Sequence, residues 1–512
     1  MARTAAKLQD AILDVRELKT YFYTYDGVVK ALDGVSFRIR KGETIGLVGE
    51  TGCGKSVTAF SITKLIPDPP GRIMGGMIIY KGANLLWGVE KEAKFKPVKN
   101  SNRVKVTRSY RRIKAAQERM NAVRGGGISM IFQEPSSAMN PVFSIADQVS
   151  EAIFLHRGVE LIQTLLRADP NAPDLDKYRQ ELIQATRDND IDRMRAAAKQ
   201  MGDAMKVPTV GTQAYYVMRG SSLDPESKLT DLEGVSRRLK FSGLQRRYLR
   251  HEAERFQILR DLRTLYMQEM RDQSTDRRAR TRLKLHGASN WARGLPYKLW
   301  GIHRHVNRPV KEEGFWQTVR GLEGVAIANP VQVSRGYPHE LSGGMIQRVM
   351  IAMALASEPE LLIADEPTTA LDVTIQAQIL ELMRILRDRV GTAILLITHD
   401  LGVIAEVVDR VAVMYAGNIV EIGPVKDVFR RPLHPYTQGL LASIPSMNDP
   451  DRPLQSIAGS VPNLIFPPTG CRFHPRCPHA MPICKEARPP MTVEGELHTV
   501  ACYLYNGPVS RE

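Results

Sequence analysis

No stretch of this 512-residue sequence holds about eighteen consecutive apolar residues, the length that a helix needs to cross a membrane. The longest apolar runs, such as residues 392–398, have the length of a strand. Residues 1–18 contain neither the apolar core nor the small-residue cleavage site of a secretory signal peptide. We therefore expect a chain that stays in the cytosol, where thiols are kept reduced.

Cysteine is scarce, with 5 residues, and a disulfide framework is not expected of a cytosolic chain. Hydrophobic residues make up 43% and charged residues 25%, as in ordinary globular proteins. The length exceeds what one core usually supports, so two or three domains are expected. A formal net charge of +16 suggests an anionic neighbour, either nucleic acid or a membrane surface.

A glycine-rich loop matches the pattern G-x-x-x-x-G-K-[ST] and follows the apolar strand predicted at residues 45–48. Its glycines would let backbone N–H groups close around phosphate oxygens, at the start of a helix whose dipole favours anions. Lys55 would add a charge to the phosphates, and Ser56 a hydroxyl ligand for Mg²⁺. The residues predicted to bind ATP here are Gly49, Glu50, Thr51, Gly52, Cys53, Gly54, Lys55, Ser56 and Val57.

Two further apolar runs end in polar residues. Residues 361–364 lead into Asp365 and Glu366, and residues 393–397 lead into Thr398 and His399. Ligands bind at the carboxyl ends of strands in parallel sheets, so these side chains are predicted to meet. Asp365 would hold Mg²⁺, Glu366 would orient the attacking water, and His399 would sense the terminal phosphate.

These motifs, together with Leu341-Ser342-Gly343-Gly344-Met345-Ile346-Gln347-Arg348, resemble those of ATP-binding cassette (ABC) ATPases. The resemblance implies an α/β fold with a RecA-like core and with antiparallel β and helical subdomains. It makes Gln133 a catalytic Q-loop residue and Mg²⁺ ligand, His399 the switch histidine and Asp372 part of a D-loop spelled Ala370-Leu371-Asp372. Phe22 falls where the family stacks an aromatic ring on adenine, although Tyr21, Tyr23 and Tyr25 are close by.

The resemblance also implies a partner, because ABC cassettes pair head to tail. Ser342, Gly343, Gly344 and Gln347 of the signature would then contact the ATP bound by a second ATPase subunit. The tail, with Arg431-Pro432-Leu433-His434-Pro435-Tyr436-Thr437, is similar to that of dipeptide/oligopeptide transporter ATPases. In that branch two membrane permease subunits and an extracytoplasmic substrate-binding protein complete an importer, whose cargo is peptides or, in some members, nickel chelates or oligosaccharides.

Four cysteines near the end of the chain follow the spacing C-x5-C-x6-C-x17-C, at Cys471, Cys477, Cys484 and Cys502. Structural zinc sites usually contain C-x2-4-C pairs, which are absent, so an iron–sulfur cluster suits the spacing better. The resemblance implies a [4Fe–4S] cluster at these positions, with zinc or plain buried thiols as alternatives. Cys53, beside Lys55 at a helix start where a thiol pKa tends to fall, is interpreted as a small tolerated loop residue.

The chain is predicted to contain four segments. Residues 1–157 and 321–431 would form the nucleotide-binding domain, 158–320 a basic, mostly helical insertion, and 432–512 a small C-terminal domain with the cysteines. The insertion interleaves basic residues with Trp291, Tyr297 and Trp300. It could contact anionic lipid, bind nucleic acid as in DNA-repair and chromosome-organising ATPases, or be a solvated elaboration.

Coiled coils such as those of DNA-repair ATPases need three or four sustained heptads, and Pro296, Pro309 and several glycines interrupt the insertion. Nucleic acid is therefore the less favoured partner. We expect an importer ATPase lying peripherally on the cytoplasmic face of the membrane.

Overall fold

The computed structural model describes residues 11–97, 104–219, 229–368, 372–443, 457–494 and 497–505. The chain divides into two compact units. The first comprises Met1–Gln133, Tyr266–Thr275 and Pro359–Glu512, and the second comprises Glu134–Leu265 and Asp276–Glu358. Ala370 and Leu371 of the predicted D-loop lie outside the described residues.

The strands all belong to the first unit. In chain order they are β1 (Ala11–Tyr23), β2 (Val28–Arg40), β3 (Thr44–Val48), β4 (Gly71–Tyr80), β5 (Ala83–Asn84), β6 (Ala93–Pro97), β7 (Val104–Arg108), β8 (Ile128–Ile131), β9 (Leu361–Asp365), β10 (Ala393–Ile397), β11 (Arg410–Tyr415), β12 (Asn418–Pro424), β13 (Thr492–Val493) and β14 (Thr499–Val500).

The main sheet has the order β13-β14-β12-β11-β3-β10-β9-β8. Its strands from β11 to β8 are parallel, and β12, β14 and β13 continue it in antiparallel fashion. Every residue of β3, β9 and β10 is buried, as expected of continuous apolar runs in a parallel sheet covered on both faces. The apolar runs predicted as strands at residues 45–48, 361–364 and 393–397 are therefore confirmed.

A second sheet is antiparallel, in the order β2-β1-β4-β5, and β6 pairs with β7 in a separate hairpin. Segments in which apolar and polar residues alternate form β1 and β2. Buried side chains of this sheet share one core with those of β3, β9 and β10, including Leu18, Phe37 and Ile78.

Among the described residues, seven α-helices lie entirely in the first unit: α1 (Lys55–Ile62), α2 (Tyr110–Met120), α15 (Val373–Val390), α16 (Leu401–Val407), α17 (Val425–Arg430), α18 (Pro435–Ala442) and the short α19 (Ile483–Glu486). The second unit is helical in its described residues. Its helices are α3 (Pro135–Ala138), α4 (Ile145–Leu166), α5 (Leu175–Arg187), α6 (Ile191–Ala204), α7 (Pro208–Arg219), α8 (Leu229–Arg237), α9 (Gly243–Asp272, ending in the first unit), α10 (Arg277–Gly294), α11 (Trp300–Val306), α12 (Arg308–Gly324), α13 (Pro330–Arg335) and α14 (Gly343–Leu355).

Two predicted segment boundaries fall inside helices. The boundary at residue 157 lies within α4, and the boundary at residue 320 lies within α12. Buried apolar residues continue along α4 to Leu165, so its packed face extends beyond the point where the composition changes.

The C-terminal residues are not confirmed as the separate small domain that is expected from the sequence. They belong to the first unit, and β14 pairs with β12 through Glu421↔Val500 and Ile422↔Thr499. None of the helices in the described residues is both long and apolar enough to cross a membrane.

Candidate active site

The glycine-rich loop lies between β3 and α1, as the sequence predicts. Gly54 adopts φ 109° at the N-cap of α1, a left-handed conformation that favours glycine. The loop also needs glycine at Gly49, where a Cβ atom would lie 2.2 Å from the carbonyl oxygen of Met414. The backbone of the loop can therefore pass against the end of β11, which a side chain at Gly49 would prevent.

Lys55 is the charged side chain of this loop. It is 7% exposed, and its Nζ donates to the carbonyl oxygens of Gly49 at 2.7 Å and Glu50 at 3.3 Å. The ammonium group is thus held at the mouth of the loop by neutral acceptors. Among the described residues, no carboxylate lies within ion-pair distance of this ammonium group, so its charge can be paired by an anionic ligand.

Asp365 ends β9 beside the loop and is completely buried. Its Oδ1 accepts a hydrogen bond from the Ser56 hydroxyl at 3.1 Å, whereas its Oδ2 is buried without a hydrogen-bond partner among the described residues. Burial, with a further contribution from the charge of Glu366, raises the pKa of Asp365 to about 6. A buried carboxylate oxygen that lacks a donor, next to a hydroxyl, fits an Mg²⁺ ion, which prefers oxygen ligands.

Three predicted catalytic residues lie together at the ends of adjacent strands. Glu366, whose side chain is 14% exposed, accepts a hydrogen bond from Gln133 Nε2 at 3.0 Å on its Oε2. Its Oε1 lies 3.3 Å from His399 Nδ1. Glu366 has φ 48°, an uncommon left-handed conformation for a residue with a side chain, and its N–H donates to Ile397 O at 2.8 Å. The backbone therefore turns sharply here and directs the carboxylate toward Gln133 and His399.

The aromatic residues near Phe22 have different environments. Phe22 is half-buried, with its ring over Gly71. The Tyr21 hydroxyl donates to Asp33 at 2.9 Å, Tyr23 stacks on a neighbouring ring, and Tyr25 is 84% exposed. The adenine contact at Phe22 stays a prediction.

The signature residues lie in the second unit. Ser342 caps α14 by accepting from the N–H of Met345 at 3.4 Å, so that Gly343 and Gly344 form the first turn and Gln347 is buried. Asp372, in the first unit, caps α15 by accepting from Ile375 N at 2.9 Å. Both groups have the local geometry expected of a helix start, and their contacts with a second subunit stay predictions.

Cys53 differs from the expectation for a thiol at a helix start. It is fully buried, and burial raises its pKa, with the positive charge of Lys55 only partly opposing this effect. A buried thiol with a raised pKa has little thiolate character. Cys53 therefore packs as a small apolar residue.

The four C-terminal cysteines are reduced thiols near one another. Burial, with smaller contributions from the charges of Cys471, Cys477 and Cys484, raises the pKa of Cys502 to about 11. Among the described residues, no three or more His, Cys, Asp or Glu side chains are arranged to hold a metal ion. The geometry therefore gives no support to the predicted iron–sulfur cluster or to the alternative zinc site, and the thiols are free.

The sequence analysis missed two residues that contact the loop. The Tyr436 hydroxyl accepts from the N–H of Glu50 at 2.9 Å, and Arg476 donates to both oxygens of the Glu50 carboxylate. Both residues come from the C-terminal region, 386 and 426 positions after Glu50 in the sequence. No local pattern in the sequence signals a contact at that separation.

Comparison with known proteins gives matches to two family profiles. The profile of the family described as ABC transporter matches residues 32–214 and 315–369. The profile of the oligopeptide/dipeptide transporter C-terminal region matches residues 420–484.

Three curated relatives match nearly the whole chain. A probable peptide ABC transporter ATP-binding protein, y4tR of Sinorhizobium fredii, is 33% identical over 502 residues, covering 98% of this chain and 97% of the relative. The dipeptide transport ATP-binding protein DppD of Bacillus subtilis is 31% identical over 97% of this chain and 95% of the relative. The oligopeptide transport ATP-binding protein OppD of Salmonella typhimurium is 31% identical over 98% and 96%, respectively.

A solved structure, the post-hydrolysis dimer of the ATP-binding cassette MJ0796 bound to ADP and Pi, aligns with a TM-score of 0.39 and 13% identity. The alignment covers 81% of this chain and 98% of that one.

The environment of Cys53 leads to a testable expectation. At pH 8, iodoacetamide should modify Cys53 at least about tenfold more slowly in the folded chain than after unfolding in urea, because its thiol is buried and protonated. The modified peptide would be quantified by mass spectrometry, with Cys53→Ser as the control for peptide assignment. Equal rates in the folded and unfolded chains would show that Cys53 is accessible and contradict its described burial.

Proposed function

This chain belongs to the family of ATP-binding proteins of peptide ABC transporters, and we propose that it is the subunit that powers a peptide importer. Members of this family hydrolyse ATP, and the hydrolysis is coupled to transport. The observation that carries the proposal for this chain is the group formed by Gln133, Glu366 and His399, beside the buried Asp365 and the Lys55 loop.

We propose that the glycine-rich loop binds the phosphates of ATP through its N–H groups and Lys55. Ser56 and Asp365, together with Gln133, would hold Mg²⁺, which when bound supplies positive charge to the phosphate oxygens. The partnerless Oδ2 of Asp365 supports this assignment. The ammonium group of Lys55 would exchange its carbonyl acceptors for phosphate oxygens.

Glu366 would orient the attacking water and accept its proton. Gln133 and His399 each contact one oxygen of the Glu366 carboxylate, at 3.0 Å and 3.3 Å. They therefore restrict the rotation of the carboxylate, and His399 is 64% exposed at its side chain, accessible to the terminal phosphate. Such positioning contributes to the rate by holding the base and water in a reactive arrangement.

A second ATPase subunit is part of the proposal. Ser342, Gly343 and Gly344 open helix α14 with free N-terminal N–H groups of the kind that bind anions. We propose that this turn contacts the phosphate of an ATP bound by the partner, and that Asp372 lies near the junction. Closure of the pair would be transmitted through the Gln133 region to two membrane permease subunits.

The proposed cargo is a peptide delivered by an extracytoplasmic substrate-binding protein. The support comes from the relatives, whose names specify peptide, dipeptide and oligopeptide transport. None of these names specifies nickel chelates or oligosaccharides, and none favours a role on nucleic acid. The chain would lie peripherally on the cytoplasmic face of the membrane, bound to its permease subunits.

The basic insertion is proposed to contact anionic lipid beside those subunits. Helix α10 carries six basic residues and no acidic ones in the sequence RRARTRLKLHGASNWARG. Trp291 on this helix is 57% exposed. Basic residues near a membrane are attracted by anionic headgroups, and tryptophan is favoured at the membrane interface.

The role of Glu366 can be tested in the chain purified with its partner subunits. Glu366→Gln should bind Mg-ATP with nearly unchanged affinity but lose about 100-fold or more in turnover, because the amide keeps the shape of the side chain and cannot accept a proton. ATP binding would be measured by calorimetry and turnover by phosphate release.

Glu406→Gln is the matched control, since Glu406 is exposed on α16 after His399. Its turnover should equal that of the unmodified chain. Normal turnover in Glu366→Gln would refute the role assigned to Glu366.

The iron–sulfur cluster stays a prediction from the sequence, and no catalytic step depends on it. If the cluster is present, protein purified in the absence of oxygen should contain about four iron and four sulfide ions per chain. The double variant Cys471→Ser/Cys477→Ser should contain neither. Metal and sulfide analysis would measure both. An iron-free preparation in which all five thiols titrate after unfolding would contradict the cluster and agree with the free thiols described above.

A further inference from the structure

We infer that Arg476 and Tyr436 hold the glycine-rich loop in the shape that binds phosphate, so that the C-terminal region sets the affinity of the chain for ATP. The inference rests on the proposed ATP site and adds two positioning residues to it. Both lie in the first unit together with the loop. Their point of attachment is Glu50, the second residue of the loop.

Every polar group of Glu50 is engaged. Its carboxylate accepts two hydrogen bonds from Arg476, of 2.8 Å to Oε2 and 3.1 Å to Oε1. Its N–H donates to the Tyr436 hydroxyl at 2.9 Å, and its carbonyl accepts from Lys55 Nζ at 3.3 Å and Cys53 N at 3.2 Å. The N–H of Glu50 is thus used to attach the loop to the C-terminal region. The carbonyl oxygen of Glu50 accepts from Lys55, so the same residue contacts both the C-terminal region and the lysine proposed to bind phosphate.

Arg476 is itself fixed in place. Its side chain is 6% exposed, and its guanidinium also donates to the carbonyl oxygens of Ala458 at 2.8 Å and Ile457 at 3.1 Å. A planar guanidinium matches a carboxylate with two parallel hydrogen bonds, which an ammonium group cannot reproduce. The Arg476–Glu50 pair is therefore sensitive to an Arg→Lys change that keeps the charge.

Tyr436 is held by an aromatic cluster. Its ring is fully buried and packs against Tyr415 at 4.6 Å and Phe473 at 5.4 Å between ring centroids. Phe473 precedes the short turn His474–Arg476, which lies between Cys471 and Cys477. Residues 471–484, which carry three of the C-terminal cysteines and are called the cysteine-bearing segment below, are therefore connected to the phosphate-binding loop through one buried aromatic cluster.

This arrangement has an energetic consequence for ATP binding. A loop with glycine at Gly49, Gly52 and Gly54 has many backbone conformations to lose when it closes on phosphates. Contacts that order it beforehand reduce that loss and tighten binding. Linkage also works in the other direction, so ATP bound to the loop should stabilise the cysteine-bearing segment.

The test uses the full chain and compares Arg476→Lys with Arg488→Lys. Arg488 lies in the same region, and its half-exposed side chain donates to Asp33 and, among the described residues, to none of the glycine-rich loop. Asp33 keeps its hydrogen bonds from Tyr21 and Arg472 when Arg488 is changed. With Mg-ATP as the probe, Arg476→Lys should raise the Kd about tenfold, the order expected for losing a charge-assisted pair. Arg488→Lys should stay within about twofold of the unmodified chain. In the assembled transporter, KM should rise for Arg476→Lys while kcat at saturating ATP is retained.

Hydrogen exchange provides a second readout that a general loss of stability would not produce. Mg-ATP should slow exchange of the backbone amides of residues 471–484 in the unmodified chain and in Arg488→Lys, and not in Arg476→Lys. Tyr436→Phe removes only the acceptor for the Glu50 N–H, so it should also raise the Kd. It keeps the test informative if Arg476→Lys does not fold.

Different results would contradict the role of Arg476 and Tyr436 and the proposed ATP site. If Arg476→Lys and Tyr436→Phe match Arg488→Lys in Kd and in exchange, while Lys55→Ala abolishes binding, the inference is wrong and the ATP site stands. If the unmodified chain binds Mg-ATP no better than Lys55→Ala, the proposed ATP site is wrong and the inference falls with it.

Discussion

The parallel pairing of β3, β10 and β9 is the constraint on which the nucleotide site depends. These strands bring their carboxyl ends to one edge of the sheet, with Ile397 opposite both Leu47 and Asp365. Residues that are distant in the sequence meet there, as in the hydrogen bond from Ser56 to Asp365, which spans 309 positions. A shift of one residue in this register would turn the side chains of a strand to the other face of the sheet and would separate Asp365 from Ser56.

Two buried carboxylates, those of Glu421 and Asp33, bind the C-terminal region to the rest of the first unit. Burial would raise the pKa of Glu421, but hydrogen bonds from His498 and from the N–H groups of Leu433 and His434 lower it. Asp33 likewise accepts from Tyr21 and from the buried Arg472. Because a buried carboxylate is costly without such donors, these contacts make the position of the C-terminal region specific. That position is what places Arg476 against Glu50.

Those residues of the site that belong to a short sequence pattern could be predicted from the sequence. The glycine-rich loop, the carboxylates after β9 and His399 after β10 each follow an apolar run, and the parallel sheet brings them together as expected. Contacts made across the fold could not be predicted in this way, because the Arg476–Glu50 pair joins residues 426 positions apart and has no periodicity. The buried thiol of Cys53 agrees with its interpretation as a small loop residue, although its burial comes from packing and not from its neighbours in the sequence.

The most direct measurement for the central claim is to extract this chain from its native membranes in mild detergent and identify the proteins that accompany it. The account predicts two multi-span permease subunits and a second ATPase subunit, with ATP hydrolysis retained in the complex. Recovery of the chain free of membrane subunits and bound to nucleic acid would contradict it.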